Sequence, residues 1–238
     1  TVFHEAAIPS VQRSVDNPIA SNEANVEGTL KVLVAARDCG VRKLVYASSS
    51  SAYGNTPTLP KIEDMKPNPM SPYAVSKLAG EYYCRVFSEV YGLKTACLRY
   101  FNVYGPRQNP HSEYAAVIPR FVTRILAGKQ PVIYGDGGQT RDFTFVKDVV
   151  KANILAGESS AEGVFNIACG QRVSLNELAG KIMEITGVKV EALYEEQRAG
   201  DVRDSLADIS EARKEIGYEP GYELDAGLRE TVEWFRKN

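Results

Sequence analysis

Lys43-Leu44-Val45-Tyr46-Ala47, followed at once by Ser48-Ser49-Ser50-Ser51, decides the fold. An apolar run containing β-branched and aromatic residues, closed by a polar turn, predicts a short buried strand. Upstream, Val2 to Ala7 reads as another short buried strand. A helical pattern follows from about Asp16 to Cys39, with Val26, Leu30, Leu33 and Val34 at helical spacing and Gly40 as its stop. Downstream, the Pro-rich stretch from Thr56 to Pro72 is loop. Ser71-Pro72 opens a helix that runs to about Tyr91 and ends at Gly92, and Thr95 to Tyr100 is a third strand. The order β-α-β-α-β calls for a parallel sheet with right-handed crossovers.

Beyond Asn102 the pattern breaks into shorter pieces. Helices are predicted at Val117–Ala127, Val146–Ala156, Ser174–Thr186 and Asp225–Phe235. Strands are predicted at Val132–Tyr134, Asp142–Phe145, Val164–Ala168 and Val190–Tyr194. The second half reads as smaller α/β material threaded with loops.

Composition excludes several classes. The 238 residues are 44% hydrophobic and 24% charged, which is ordinary globular material. Basic residues number 28 and acidic residues 30, so no nucleic-acid or membrane surface is announced. No apolar run reaches the ~18–20 residues of a membrane span, and no signal-peptide pattern opens the chain. Cys39, Cys84, Cys97 and Cys169 are widely spaced and lack a C-x-x-C, which argues against disulfides and zinc. Each neighbours apolar residues, so all four are expected to be small buried side chains in a reducing cytoplasm. His4 and His111 are the only histidines, and no metal site is expected.

The chemistry is carried by Tyr73-Ala74-Val75-Ser76-Lys77. Spacing of four puts the phenol and the ammonium on one helix face. A free tyrosine, with a pKa near 10, is a poor base at neutral pH, and a nearby cation favours its phenolate. A solvated helix face carries the same pair of residue types, so the motif alone decides little. Its context decides more: it follows a strand that ends in serines, and ligands of open parallel sheets bind at strand C-termini. A serine there and the Tyr/Lys pair converge on one spot. The competing reading of the serines is a turn that caps backbone groups.

A wider set of motifs runs through the chain in order. It comprises Val2-Phe3-His4-Glu5-Ala6-Ala7, Asn25-Val26-Glu27-Gly28-Thr29, the serine-ended strand with Tyr53-Gly54, and Ser71 to Lys77. Leu98 to Pro106, Gly135-Asp136-Gly137-Gly138, Thr140-Arg141-Asp142-Phe143 and Arg198-Ala199-Gly200-Asp201 continue it. As a set it resembles the extended short-chain dehydrogenase/reductases, and within them the nucleotide-sugar 4-epimerases acting on UDP-glucose or UDP-N-acetylglucosamine. The resemblance implies an α/β fold: a Rossmann-type doubly wound parallel sheet with a smaller α/β substrate-binding lobe. Residues 1–105 would belong to the NAD-binding domain, and 106–238 mainly to the lobe, with some segments returning to the sheet.

The same resemblance implies residue roles. Tyr73 would be the catalytic base, Lys77 would lower its pKa and bind the nicotinamide ribose, and Ser49 would bridge Tyr73 and the sugar 4-hydroxyl, with Ser50 beside it. Glu5, Ala6, Ala7, Asn25 and Phe101 would line the NAD site. Asn102, Arg141 and Arg198 would contact the phosphates, Val132 to Tyr134 the uracil, and Asp201 the sugar nucleotide. Val117 would line the same pocket. Its flank is Ala115-Ala116, where many glucose/galactose epimerases carry Asn-Asn.

The implied reaction is 4-epimerisation of a UDP-hexose through a 4-keto sugar. Dehydratase and decarboxylase relatives are the alternative, and carry an acid after the strand serine where this chain has Ser50-Ser51-Ala52. A non-catalytic sugar-nucleotide binder is a second alternative. Ser205 matches a gate beside the sugar C2 substituent, and a small residue there leaves room for an N-acetyl group. The helices at Asp16–Cys39 and Tyr73–Tyr91 match those of an intersubunit four-helix bundle, with Tyr83, Val86 and Phe87 as surplus apolar residues, so a homodimer is expected. Members of the family open with a G-x-x-G-x-x-G turn, and none of the 19 glycines here has that spacing. On that ground the sequence is expected to lack roughly 70 leading residues, to retain NAD weakly by itself, and to leave a sheet edge unpaired.

Overall fold

The computed structural model describes residues 1–110, 116–196 and 202–238. Its centre is a four-stranded parallel sheet in the order β1 (Val2–His4), β2 (Lys43–Ser49), β3 (Lys94–Tyr100), β8 (Gly163–Ile167). Leu44 and Tyr46 of β2 and Cys97 of β3 face one side, where Leu33, Ala36, Cys84 and Phe87 cover them. Val45, Ala96 and Leu98 face the other, against Val149, Ala152, Ala156, Ile209, Ala212 and Ile216. Period-two alternation thus feeds two cores. Helices α3 (Gly28–Asp38) and α4 (Pro72–Tyr91) cover the first face, and α6 (Val146–Glu158) and α8 (Ser210–Ile216) the second. Burial on both faces is the Rossmann-type doubly wound arrangement.

A separate core belongs to the other lobe. Helices α5 (Val117–Leu126), α7 (Leu175–Thr186) and α9 (Leu224–Lys237) bury Ile118, Phe121, Val122, Ile125, Leu178, Ile182, Leu228 and Val232 together. Around them lie short strands carried on loops: β4 (Val103–Tyr104), β5 (Val132–Tyr134), β6 (Thr140–Arg141), β7 (Thr144–Phe145), β9 (Val173–Ser174) and β10 (Leu193–Glu195). They pair as β4 with β7, β5 with β10, and β6 with β9.

The element that carries Tyr73 and Lys77 is α4. Ser71 Oγ accepts from the Ala74 N–H at its start, Pro72 occupies the first helical position, and Gly92 ends it in the left-handed region at φ 69°. Gly80 lets the helix lie against the sheet: a β-carbon there would sit 2.2 Å from the Tyr46 hydroxyl.

Several expectations change. The strand expected at Val2–Ala7 stops at His4, because the following residues form the loop into the next helix. The helix expected at Asp16–Cys39 runs from Pro18 to Asp38 as α2 (Pro18–Asn22), a π-helical turn at Glu23–Glu27 and α3, and a separate short helix, α1 (Val11–Asp16), precedes it. Asn17 ends α1 and caps α2, whose first position is Pro18. The strand expected at Asp142–Phe145 is two short strands flanking Asp142 and Phe143. Helix α8 has no counterpart among the elements expected from the sequence. Cys39 is exposed rather than buried, because it ends α3. Phe87 is 4% exposed and belongs to the core, not to a surplus surface stripe. Val86 is 40% exposed.

Candidate active site and substrate cavity

Ser49 is the last residue of β2. Its Oγ accepts from the Ser51 N–H at 3.2 Å and from the Ser51 hydroxyl at 2.9 Å, capping the 3-10 turn Ser50–Tyr53. The capping reading of the serines holds at Ser49, and the same side chain draws the Tyr73 pKa down. Ser48 is spent elsewhere, donating to the buried Glu81 carboxylate at 2.5 Å, which pairs with Arg99.

Tyr73 lies in the first turn of α4. Desolvation pushes its pKa above the ordinary tyrosine value, and the hydrogen bond from Ser49 opposes that. Lys77, one turn on, is 4% exposed. Its Nζ donates to the Ala47 carbonyl at 2.8 Å and stands 6.0 Å from the Tyr73 ring centroid. Burial pulls its pKa down to about 8, and the Glu5 charge opposes the shift. The sequence leads one to expect Lys77 to lower the Tyr73 pKa. In this structure the opposing influence on the phenol is Ser49, and the lysine is itself desolvated.

The Ala47 bond is the one hydrogen bond of the Lys77 ammonium among the described residues. An ammonium has three protons to donate. A buried ammonium with donors to spare, beside a phenol and a hydroxyl, suits a partner rich in acceptors. The hydroxyls of a nicotinamide ribose are such acceptors, so these residues fit that part of a dinucleotide. Glu5 follows β1, and its carboxylate accepts from the Tyr100 hydroxyl at 2.8 Å. Ala6 and Ala7 follow in the same loop, exposed and half-buried.

Two other residues expected to line the NAD site are committed internally. Asn25 is buried: its Oδ1 accepts from the Ile8 N–H at 2.7 Å, and its Nδ2 donates to the Ile8 carbonyl and to Ser76 Oγ, each at 3.1 Å. Phe101 is 1% exposed, with its ring packed on Tyr53 at 6.1 Å between centroids.

The expected substrate residues gather at a separate cavity of about 260 Å3. Asn102, Val117, Val132, Tyr134 and Arg141 all line it. Asn102 lies just beyond the end of β3, where Tyr100 is in register with Ser49, so one wall of the cavity begins at the strand end next to Ser49. Its backbone is left-handed at φ 36°, a region asparagine tolerates. The Asn102 Nδ2 donates to the Asp142 carbonyl at 2.9 Å and to Ser205 Oγ at 3.4 Å, which brings the gate position alongside. One Arg141 nitrogen donates to the carbonyls of Thr140 and Arg203. Ser50 sits in the turn after β2, away from this cavity lining. Arg198, Asp201 and Ala115 lie outside the described residues, as does His111.

Sequence reasoning misses part of the lining. Arg120 and Phe121 stand three and four residues after Val117 on α5, and Arg120 donates to the Tyr134 hydroxyl at 3.4 Å. Helical spacing from Val117 could have found both. Gln139, 8% exposed, donates to the Tyr134 carbonyl at 2.6 Å, while its Oε1 has no partner. Asp142, also unassigned, is wholly buried and accepts from the N–H groups of Cys169, Gly170 and Ala207. Burial pushes its pKa up to about 6, against those hydrogen bonds. Among the described residues no group of His, Cys, Asp and Glu could hold a metal ion, and no helix is long and apolar enough to cross a membrane.

Residues 1–168 match the NAD dependent epimerase/dehydratase family. The UDP-glucose 4-epimerase of Mycolicibacterium smegmatis is 44% identical over 237 residues, spanning 99% of this chain and 75% of that protein. A solved UDP-N-acetylglucosamine 4-epimerase from Methanobrevibacter ruminantium M1, in complex with UDP-N-acetylmuramic acid, matches at a TM-score of 0.97 and 44% identity. The match covers 99% of this chain and 76% of that one. The Thermus thermophilus UDP-glucose 4-epimerase, in complex with NAD, matches at a TM-score of 0.91 and 39% identity, over 99% and 77% of the two chains.

Proposed function

The chain belongs to the NAD dependent epimerase/dehydratase family, and from that premise we propose that it inverts C4 of a UDP-hexose, with NAD as cofactor. The observation that carries the mechanism is that Tyr73 opens the helix after β2 with its phenol under the pKa-lowering influence of Ser49 at the strand end, and the Lys77 ammonium is buried one helical turn away. Tyr73 takes the proton of the sugar 4-hydroxyl, and Ser49 holds that hydroxyl in line, within the reach a general base requires. NAD, when bound, accepts hydride from C4 and returns it. Lys77 holds the ribose of the cofactor and keeps positive charge near the phenolate as it forms. Glu5, with Ala6 and Ala7, lines the same side.

Tyr134 and Val132 hold the base, while Asn102, Arg141 and Arg198 hold the diphosphate. A guanidinium fork suits phosphate oxygens. Anchoring the nucleotide at that end leaves the 4-keto sugar free to turn its other face to the catalytic groups before the proton returns from Tyr73. Ser205 is small and adjoins Asn102, so both UDP-glucose and UDP-N-acetylglucosamine are substrates in this reading. Elimination or decarboxylation needs an acid beside the strand serine, and the turn Ser50–Tyr53 supplies two serines and a buried alanine instead.

We also propose that the protein forms a homodimer. Val11, Val15 and Ile19 of α1–α2 and Val75, Tyr82, Val86 and Val90 of α4 are exposed apolar residues on neighbouring helices. Val86→Lys would shift sedimentation toward the monomer. The test of function is incubation of the full-length protein with each UDP-sugar and chromatographic separation of the epimers. Recovery of only the starting sugar from both would sink the reading.

A further inference from the structure

We propose that Ser14 is a positioning residue for the catalytic tyrosine: its buried hydroxyl grips the Tyr73 backbone N–H and thereby sets the phenol against Ser49. The inference rests on Tyr73 being the base.

Tyr73 is the second residue of α4, and the N–H groups of a first helical turn have no partner within the helix. Pro72 has no N–H, and the Ala74 N–H is capped by Ser71. The Tyr73 N–H is taken by Ser14 Oγ at 2.9 Å, from a helix 59 positions upstream. Ser14 is 0% exposed, and its own proton goes to the Val11 carbonyl at 2.6 Å. The hydroxyl is therefore oriented to present a lone pair to Tyr73.

The other end of the same residue is gripped too. Ser76 Oγ donates to the Tyr73 carbonyl at 2.8 Å and accepts from Asn25 Nδ2. Asn25 also holds Ile8 at both its N–H and its carbonyl. Ile8 belongs to the loop that leaves β1 through Glu5 and enters α1. The circuit closes: one loop, pinned by Asn25, leads into the helix whose Ser14 holds Tyr73. The Tyr73 backbone is fixed on both sides by hydroxyls that have no part in the chemistry.

The consequence is kinetic. Displacement of a reacting group by a fraction of an ångström is felt in turnover. With Ser14→Ala in the full-length enzyme, kcat is expected to fall about 10-fold with KM within about twofold. The acid limb of the kcat–pH profile moves to higher pH, because a phenol drawn away from Ser49 loses the influence that lowers its pKa. Ser76→Ala, which frees the carbonyl side, moves the limb the same way and serves if Ser14→Ala does not fold.

Tyr73→Phe is run beside them. If Tyr73→Phe still turns over, the base assignment fails and this proposal with it. If Tyr73→Phe is dead but the Ser14→Ala limb stays in place, only the positioning role is overturned. A drop in kcat that tracks lost folded protein, with the limb unmoved, overturns it equally.

Discussion

Ser49, Tyr73 and Lys77 come from one strand and the helix after it, whereas the cavity residues come from separate elements and loops. Asn102 follows β3, Val117 opens α5, Val132 and Tyr134 lie on β5, and Arg141 ends β6. The proposed catalytic trio is held by regular structure: a strand buried on both faces and a 20-residue capped helix lying against it. The cavity is held by bonds from side chains to backbone. Asp142 gathers N–H groups from two loops, Asn102 reaches the Asp142 carbonyl, and Asp204 accepts from the Thr140 N–H. Rigid elements suit proton transfer, which tolerates little displacement. Loops suit recognition, where variation changes the ligand without disturbing the chemistry.

The contrast is broken most sharply by Tyr73→Phe. Loss of a general base costs about 10²–10⁴-fold in kcat. The ring stays and only a hydroxyl leaves, so the melting temperature is expected to hold. Steady-state kinetics in which KM absorbed the change would erase the division between the two regions.

Arg141→Leu comes next, at the other end. Charge-assisted hydrogen bonds are worth about 1.5–3 kcal/mol, so KM for UDP-glucose should rise about 10- to 100-fold with a smaller fall in kcat. An unchanged KM would remove Arg141 from the diphosphate site.

Ser205→Tyr tests the lobe's selectivity. A bulky ring beside Asn102 should cut kcat/KM for UDP-N-acetylglucosamine about 10-fold more than for UDP-glucose. Equal losses on both sugars would show that Ser205 is no gate.

The same division governs what can be read from the sequence. Helix α4 is legible because Ser71-Pro72 and Gly92 are physical start and stop signals, and β2 because its apolar run ends abruptly in serines. Spacing on those two elements yields the Tyr73/Lys77 pair and a serine at the strand end, and the resemblance picks out Ser49. The cavity has no such local signature: Asn102 and Arg141 carry meaning only through resemblance to a family. The strand expected across Asp142 fails because that carboxylate bonds loop N–H groups instead of continuing a ladder. Ser14 is invisible for a different reason. An isolated serine in a six-residue helix follows no periodic rule, and its partner lies 59 positions away.

The smallest expected effect separates the regions by pH. Asp142 titrates at about 6 when folded, against an ordinary value of 3.8, mainly because burial penalises its charge. Between about pH 4 and 6 the folded chain therefore binds more protons at this site than the unfolded chain. Its contribution to stability falls as pH rises through that window and is level above it. Lys77 acts at the other extreme. Its folded pKa of about 8 lies below the 10.5 of a free lysine. The unfolded chain binds more protons between those values, so the Lys77 contribution grows as pH rises from about 8 toward 10.5. The loops beside the cavity thus carry the acid-side dependence, and the helix that bears Tyr73 and Lys77 the alkaline-side one. Urea midpoints at about pH 4.5 and 6.5 test the first. Asp142→Asn should flatten the slope across that interval by an amount on the order of 1 kcal/mol while lowering stability throughout, since an amide accepts fewer of the loop N–H groups. The alkaline slope should be untouched by Asp142→Asn and removed by Lys77→Met. If Asp142→Asn altered the alkaline slope instead, the two regions would be electrostatically one site, and the division between a rigid chemical end and a loop-built binding end would fail.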